Sequence, residues 1–283
     1  MHARSTTVNK RYLAITTIAI LALITGLVGR TKPNYPDDPR FRPWRIGAAI
    51  SYNYPASVNE AYGVNYQEDW TSMMLPYGGL LQSRYKMEKY REYTYPDYDG
   101  YAIPLGVPVN FTSRQIGTGI KSLPDELYLY WGSHGFRYAT VVKVTAQIKA
   151  AIVKPYPEYP EEPEGPTCYQ TDFMFGLLPD GRAKMWLKGC AYITYIGEYS
   201  ASKAVPIPPP APEKELEPLT PEQIEQFGHL LFDTKPKKRP QPPKMYPRPS
   251  LDDPIPWDKV NQVWYNPSYK VQNLADVVPS TPE

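Results

Sequence analysis

Residues 12–29, YLAITTIAILALITGLVG, run through an apolar stretch without a single charge, and this run decides where the rest of the chain has to fold. At about 1.5 Å per residue, a helix of that length measures about 27 Å, close to the roughly 30 Å hydrocarbon core of a bilayer. The run exceeds the apolar part of most secretory signals, and its exit, Leu27-Val28-Gly29-Arg30, lacks an A-x-A cleavage pattern. It reads as an uncleaved signal anchor, with a cleaved signal peptide as the alternative. The first cysteine is Cys168, so no Cys follows the run to carry a lipid. Arg4, Lys10 and Arg11 precede the run, while Arg30, Lys32, Arg40, Arg42 and Arg45 follow it. Giving the short basic N-terminus of a first segment the greater weight places residues 30–283 outside the cytoplasm. The expected location is the inner membrane of a bacterium with the bulk of the chain in the periplasm, or the soluble periplasm if the leader is removed.

An exported chain meets an oxidising space. Its two cysteines, Cys168 and Cys190, therefore read as one disulfide, with two buried free thiols as the alternative. With 34 Pro and 25 Tyr against 7 Phe, the chain favours strands, turns and extended segments over a helical bundle. A net charge of +2 names no partner by itself.

Residues 30–43, RTKPNYPDDPRFRP, read as an extended stalk. Residues 44–54 then look like a first strand, and residues 80–93 suit either a charged surface helix or a strand. The pattern sharpens at residues 126–131, ELYLYW, which alternate and are followed by Gly132-Ser133-His134-Gly135 and a second alternating run, FRYATVVKVTA, over residues 136–146. This is a hairpin signature. Residues 155–166, PYPEYPEEPEGP, form a proline-acidic loop. A further pair, residues 171–178 and 183–189, flanks Pro179-Asp180-Gly181-Arg182, and residues 191–199 continue as a last strand. A two-residue Asp180-Gly181 loop sets Leu178 opposite Ala183 and Thr171 opposite Cys190. Cys168 then lies three positions away on the other face, so the bridge needs an irregularity, for which Gly189 is the candidate.

Beyond Pro206 the character changes. PIPPPAPEKELEP favours an extended polyproline conformation. Thr220-Pro221-Glu222-Gln223 then marks a helix start, and Ile224, Phe227 and Leu231 follow at helical spacing. Residues 235–248, KPKKRPQPPKMYPR, form a basic proline-rich arm, read as a solvated linker or a segment for anionic head groups. Residues 255–257 and 263–265, IPW and VWY, are apolar anchors able to dock on the body. The expected fold class is mainly β: an antiparallel sheet or sandwich over residues 44–205, an N-terminal transmembrane helix, and a proline-rich extension over residues 206–283 with one short helix at 221–232.

Catalytic constellations are scarce. Histidine occurs at His2, His134 and His229, and Gly132-Ser133-His134-Gly135 has the wrong spacing and the wrong setting for a nucleophile elbow. There is no phosphate-cradling glycine loop, CxxC pair or calcium-loop pattern. Glu68 with Asp69 and Asp97 with Asp99 are paired carboxylates set in polar, tyrosine-rich loops, which suits a solvated rim better than acid/base work. Asn110-Phe111-Thr112 matches a glycosylation sequon, relevant in a eukaryotic secretory host. No cofactor, no metal site and no nucleic-acid partner is expected. Tyrosines remain, dense in the loops, and Tyr favours interfaces because it offers large contact area at low entropic cost. Tyr62, Tyr66, Tyr95, Tyr98, Tyr156 and Tyr159 are the candidate partner-binding residues.

Trp44-Arg45-Ile46-Gly47, Leu123-Pro124-Asp125-Glu126-Leu127-Tyr128 running into Trp131, and Gly176-Leu177-Leu178-Pro179-Asp180-Gly181-Arg182 running into Trp186-Leu187 resemble motifs of an exported bacterial family of unknown function. The likeness spans roughly residues 44–260. Members of that family often look like lipoproteins, and this chain departs from them by lacking the lipidated Cys. Some are similar to immunity proteins encoded beside type VI secretion phospholipase effectors. The resemblance implies a periplasmic inhibitor that binds a toxin and blocks its active site, with no catalysis of its own. It carries no functional residue across, because the matching positions are strand and turn residues. Two other readings stand beside it: an envelope structural or assembly protein that binds a partner through its proline-rich arm, and a membrane-tethered hydrolase.

Overall fold

Glu126–Ser133 (β8) and Phe136–Lys143 (β9) form the hairpin that the alternation announces, paired from Glu126↔Lys143 to Ser133↔Phe136. His134 and Gly135 close it with φ of 48° and 79°, the left-handed pair that a tight hairpin turn requires. The computed structural model describes residues 44–75, 80–81, 84–107, 111–112, 114–115, 122–208, 220–221, 225 and 248–279. Segments 12–29 and 30–43, Asn110, nearly all of 221–232 and the arm before Arg248 lie outside the described residues. No helix among the described residues is long and apolar enough to cross a membrane.

Around this hairpin grows a seven-stranded sheet in the order β15, β9, β8, β2, β3, β7, with Leu80–Leu81 (β4) also on β2. Here β2 is Ala56–Asn65, β3 Trp70–Leu75, β7 Arg114–Gln115 and β15 Lys203–Pro206. A six-stranded sheet runs β17, β14, β13, β12, β1, β6, formed by Lys270–Asn273, Tyr192–Ser200, Arg182–Gly189, Asp172–Leu177, Arg45–Ile50 and Phe111–Thr112. Mainly β is therefore the observed class, but the sheets are mixed. β1 pairs parallel with β12, and β14 parallel with β17. Segment 80–93 holds both structures that fit it: β4, then a helix over Arg84–Tyr93 (α1). The alternating run at 136–146 ends earlier than expected, because Thr145 caps a helix over Ala146–Ile152 (α2) by accepting from the Ile148 N–H.

The two sheets face each other across aromatic rings. Trp44, fully buried at the head of β1, stacks on Trp70 at 6.2 Å and meets Phe173 edge-on at 6.1 Å. Its ring occupies the space beneath Gly63 of β2, where a Cβ would lie 2.6 Å from the indole. β12 is buried at every position, as its unbroken DFMFGL run demands. Phe173 faces the Trp44 side; Met174 faces a second apolar layer with Trp186, Ile103, Leu105 and Val260. That layer comes partly from the C-terminal segment. Val263–Tyr265 (β16) pairs parallel with Ile103–Leu105 (β5), while Ile255 packs on the same cluster. Short helices at Trp257–Val260 (α3) and Leu274–Val277 (α4) flank β16 and β17.

Cys168 and Cys190 are joined by a disulfide with a Cα–Cα distance of 5.5 Å. Its surroundings correct the expected register. Leu177, not Leu178, lies opposite Ala183, and the turn holds three residues, closed by Leu178 N–H donating to the Arg182 carbonyl at 2.9 Å. Pro179 has no N–H, so it cannot form the closing pair that a two-residue loop would ask of it. Cys168 belongs to a separate ribbon, in which Thr167–Cys168 (β11) pairs with Tyr156–Pro157 (β10). Cys190 sits in the β13–β14 turn beside Ala191, with φ of 57° and 56°. Gly189 is not the irregular point: it pairs in register with Tyr192, and the register shift of β13 against β14 falls between Met185 and Trp186. The Tyr169 carbonyl oxygen instead passes so close to Gly189 that a Cβ there would fall 2.7 Å from it.

Candidate interaction face

The parity of β8 sends Leu127, Leu129 and Trp131 inward, so Glu126, Tyr128 and Tyr130 point outward. β2 lies antiparallel beside it with an irregularity between Val58 and Glu60, after which Glu60 faces Tyr130, Tyr62 faces Tyr128 and Val64 faces Glu126. Rings directly opposite on neighbouring strands come close enough to stack. Tyr62 stacks on Tyr128 with centroids 4.9 Å apart and planes 11° apart, and on Tyr130 at 6.2 Å and 27°. On the other side of Tyr62 lies Met73 of β3, and beyond Tyr128 lies Val141 of β9.

One carboxylate organises the upper end of this face. Glu126 Oε2 accepts from the hydroxyls of Tyr66 and Tyr128, each at 2.6 Å, and those two hydroxyls are 3.3 Å apart. The bonds from Tyr128 and Tyr66 hold the Glu126 carboxyl below the usual carboxylate range. The bond to Glu126 in turn pushes the Tyr128 phenol up, while burial and then the Tyr130 hydroxyl push up that of Tyr62. Next to them, burial alone would raise Asp125, but the bond from the Lys149 ammonium at 2.6 Å and the Tyr66 N–H outweigh it and keep its carboxyl low. At neutral pH the face thus carries an ionised Glu126, beside Tyr62 and Tyr128 phenols that hold their protons.

Of the six tyrosines singled out from sequence, Tyr62 and Tyr66 join this cluster, and Tyr66 is 62% exposed. Tyr98 and Tyr156 are buried. The Tyr98 hydroxyl accepts from the Tyr52 N–H and donates to the Ala102 carbonyl. The Tyr156 ring lies 4.8 Å from Tyr192, and its hydroxyl accepts from Gln272. Tyr95 leans on Trp264 at 4.9 Å and accepts from Asn266, while Tyr159 is exposed in the proline-acidic loop. These four lie apart from the Tyr62–Tyr66 cluster, and the contacts of Tyr95, Tyr98 and Tyr156 are within the body. Tyr128, Tyr130 and Glu126 lie on a strand and not in the tyrosine-rich loops, and the alternation in ELYLYW already places these three on one face.

Three of the four paired carboxylates accept hydrogen bonds within the fold. Glu68 takes bonds from Ser122 and the Trp70 indole, Asp97 from the Trp264 indole, and Asp99 from the Tyr101 N–H. Asp69 is a turn residue with φ of 50°. His134 is held in its turn with its ring edge-on to Tyr54 at 6.1 Å. Among the described residues, no group of three or more His, Cys, Asp or Glu side chains is placed to hold a metal ion.

Residues 30–213, which contain every member of the tyrosine cluster, match the family described as "Protein of unknown function (DUF2931)". The chain belongs to that family. The DUF2931 match contains all three motifs, beginning ahead of Trp44 and ending inside the 44–260 stretch of the likeness, so it leaves out β16, β17 and the segment that carries them. No curated protein and no solved structure matches the chain.

Proposed function

We propose that this DUF2931 protein is a non-catalytic binding protein of the bacterial periplasm that holds a protein partner against the outer face of its seven-stranded sheet. The observation that carries the reading is the Tyr62–Tyr128 stack, fixed at one end by two phenols on the Glu126 carboxylate. Rigid aromatic surface with its rotamers already set loses little entropy on contact, which is what a recognition site needs. The Cys168–Cys190 disulfide supports an oxidising compartment. The partner class follows from the resemblance drawn from Trp44-Arg45-Ile46-Gly47 and the two longer motifs: a phospholipase-type toxin of a type VI secretion system, neutralised by occlusion. An anchor at residues 12–29 would keep the inhibitor beside the membrane such a toxin attacks.

Deleting the gene is expected to make cells susceptible to siblings with an intact secretion system and a phospholipase effector, and returning the full chain is expected to restore survival. Cells equally resistant with and without the gene would remove the reading.

A further inference from the structure

The register sets Tyr130, Ala139 and Lys203 side by side on β8, β9 and β15, and Gly132, Arg137 and Val205 side by side one step nearer the hairpin tip. On β9, Tyr138, Thr140 and Val142 are buried, so Arg137, Ala139, Val141 and Lys143 point outward on the tyrosine face. A methyl group therefore stands between a phenol and a lysine stem. Neighbouring strands lie about 4.8 Å apart, so the walls on either side of Ala139 stand about 10 Å apart, a notch with room for one side chain. Val141 extends its floor beside Tyr128. Ile207 closes the other end, with its Cδ1 3.8 Å from where a Cβ of Gly132 would stand.

The charges around the notch are sorted by sign. Arg137 and Lys203 are exposed, and neither takes part in an ion pair among the described residues. They are diagonal neighbours, about 7–8 Å apart at the backbone, a spacing from which two long side chains can reach one carboxylate. The next outward cation on β9, Lys143, already lies opposite Glu126. Glu60 stands beside Tyr130 on the far side, on β2. An acidic group in the notch thus meets two cations without a counter-charge and the Tyr130 hydroxyl, while Glu60 repels it from the β2 side of the ring. A basic group would be repelled from the notch by the same two cations.

We propose that the notch over Ala139 receives an acidic side chain of the protein partner, held by Arg137, Lys203 and the Tyr130 hydroxyl, while apolar side chains of the same segment lie on the Tyr128 and Tyr130 rings and on Val141. This rests on the outer face being the recognition surface, and it adds the sign of the segment that the face takes. Charge pairs of this kind select the partner and speed its arrival more than they tighten its hold.

The test uses the full chain in mild detergent and short peptides that carry a photoreactive leucine on each side of a central glutamate, glutamine or lysine, with labelled positions mapped by mass spectrometry. The glutamate peptide is expected to label the strands that line the notch at least about fivefold more than the glutamine peptide, and the lysine peptide least of all, with the excess lost at about 0.5 M salt. Arg137→Gln/Lys203→Gln is expected to bring the glutamate peptide down to the glutamine level. Ala139→Leu is expected to do the same by filling the notch with both cations in place. Both variants are read in chains with the disulfide formed and the urea midpoint unchanged. Labelling of this face that ignores the central residue, or that survives either variant, overturns the proposal and leaves the face as a recognition surface. Preference for the lysine peptide overturns it in favour of a basic segment on Glu60. A face that no peptide labels overturns it too, and a chain that then sediments as a dimer puts a second copy there. None of these outcomes touches the survival of gene-deleted cells, so the two readings fail separately.

Discussion

Tyr138 on β9 donates its hydroxyl to the Pro179 carbonyl at 3.0 Å, so a strand of one sheet is bonded to a turn of the other. The same ring fills the space beside Gly181, where a Cβ would fall 2.5 Å from it, and Gly181 has a φ of 92°. Tyr138→Phe removes one buried bond and leaves a buried carbonyl without its donor, a loss of about 1 kcal/mol. Gly181→Ala adds backbone strain to a clash with a rigid ring and is expected to cost about 2–4 kcal/mol. Urea unfolding of both variants checks the order, and Gly181→Ala as mild as Tyr138→Phe would contradict the packing described.

The disulfide closes a loop with a sequence separation of 22 and ties the β13–β14 turn to the β10–β11 ribbon. In the chain-entropy account a loop of this size contributes about 3 kcal/mol. Reducing the folded chain is expected to lower its denaturant midpoint accordingly, while Cys168→Ser/Cys190→Ser should start from the lowered value and ignore reductant. A midpoint indifferent to reduction in the unaltered chain would refute this.

The Glu126 carboxyl titrates lower folded than unfolded, because the Tyr128 and Tyr66 hydroxyls bond its charged form. Its contribution to stability is therefore fully present above the unfolded value of 4.5 and is lost as the pH falls through the lower folded value. Asp125, held low chiefly by Lys149 against the opposing effect of burial, acts in the same direction. Glu126→Gln is expected to flatten the acid limb of stability against pH, read from urea midpoints between about pH 5 and pH 3. An acid limb as steep as that of the unaltered chain would mean that the two tyrosine bonds do not persist in solution.

How much of this was written in the sequence depends on whether the signal was local. ELYLYW and FRYATVV announced their hairpin because alternation and a Gly-containing turn lie within one short stretch. The Pro179 turn carried an equally local clue, the missing N–H, but the dipeptide Asp180-Gly181 outweighed it and the register slipped by one residue. β15, β16 and β17 carry no strand signal of their own, with only the VWY of β16 standing out as an apolar anchor, because each is short and gains its strand state from a distant partner, β9, β5 and β14 respectively. The parallel pairing of β1 with β12 joins Arg45 to Asp172 across 127 residues, which no window of sequence reveals. The tyrosine face was half legible for the same reason. β8 displays Tyr128 and Tyr130 by parity, but Tyr62 reaches them through the pairing of β2 with β8, which the sequence around Tyr62 does not announce.

The most direct measurement is survival of cells that carry Tyr62→Ala/Tyr130→Ala in place of the natural chain, in competition with siblings armed with the phospholipase effector. The altered protein should accumulate with its disulfide formed, and its cells should succumb as readily as cells lacking the gene. Full protection by that variant would contradict the assignment of the tyrosine face as the surface that holds the toxin.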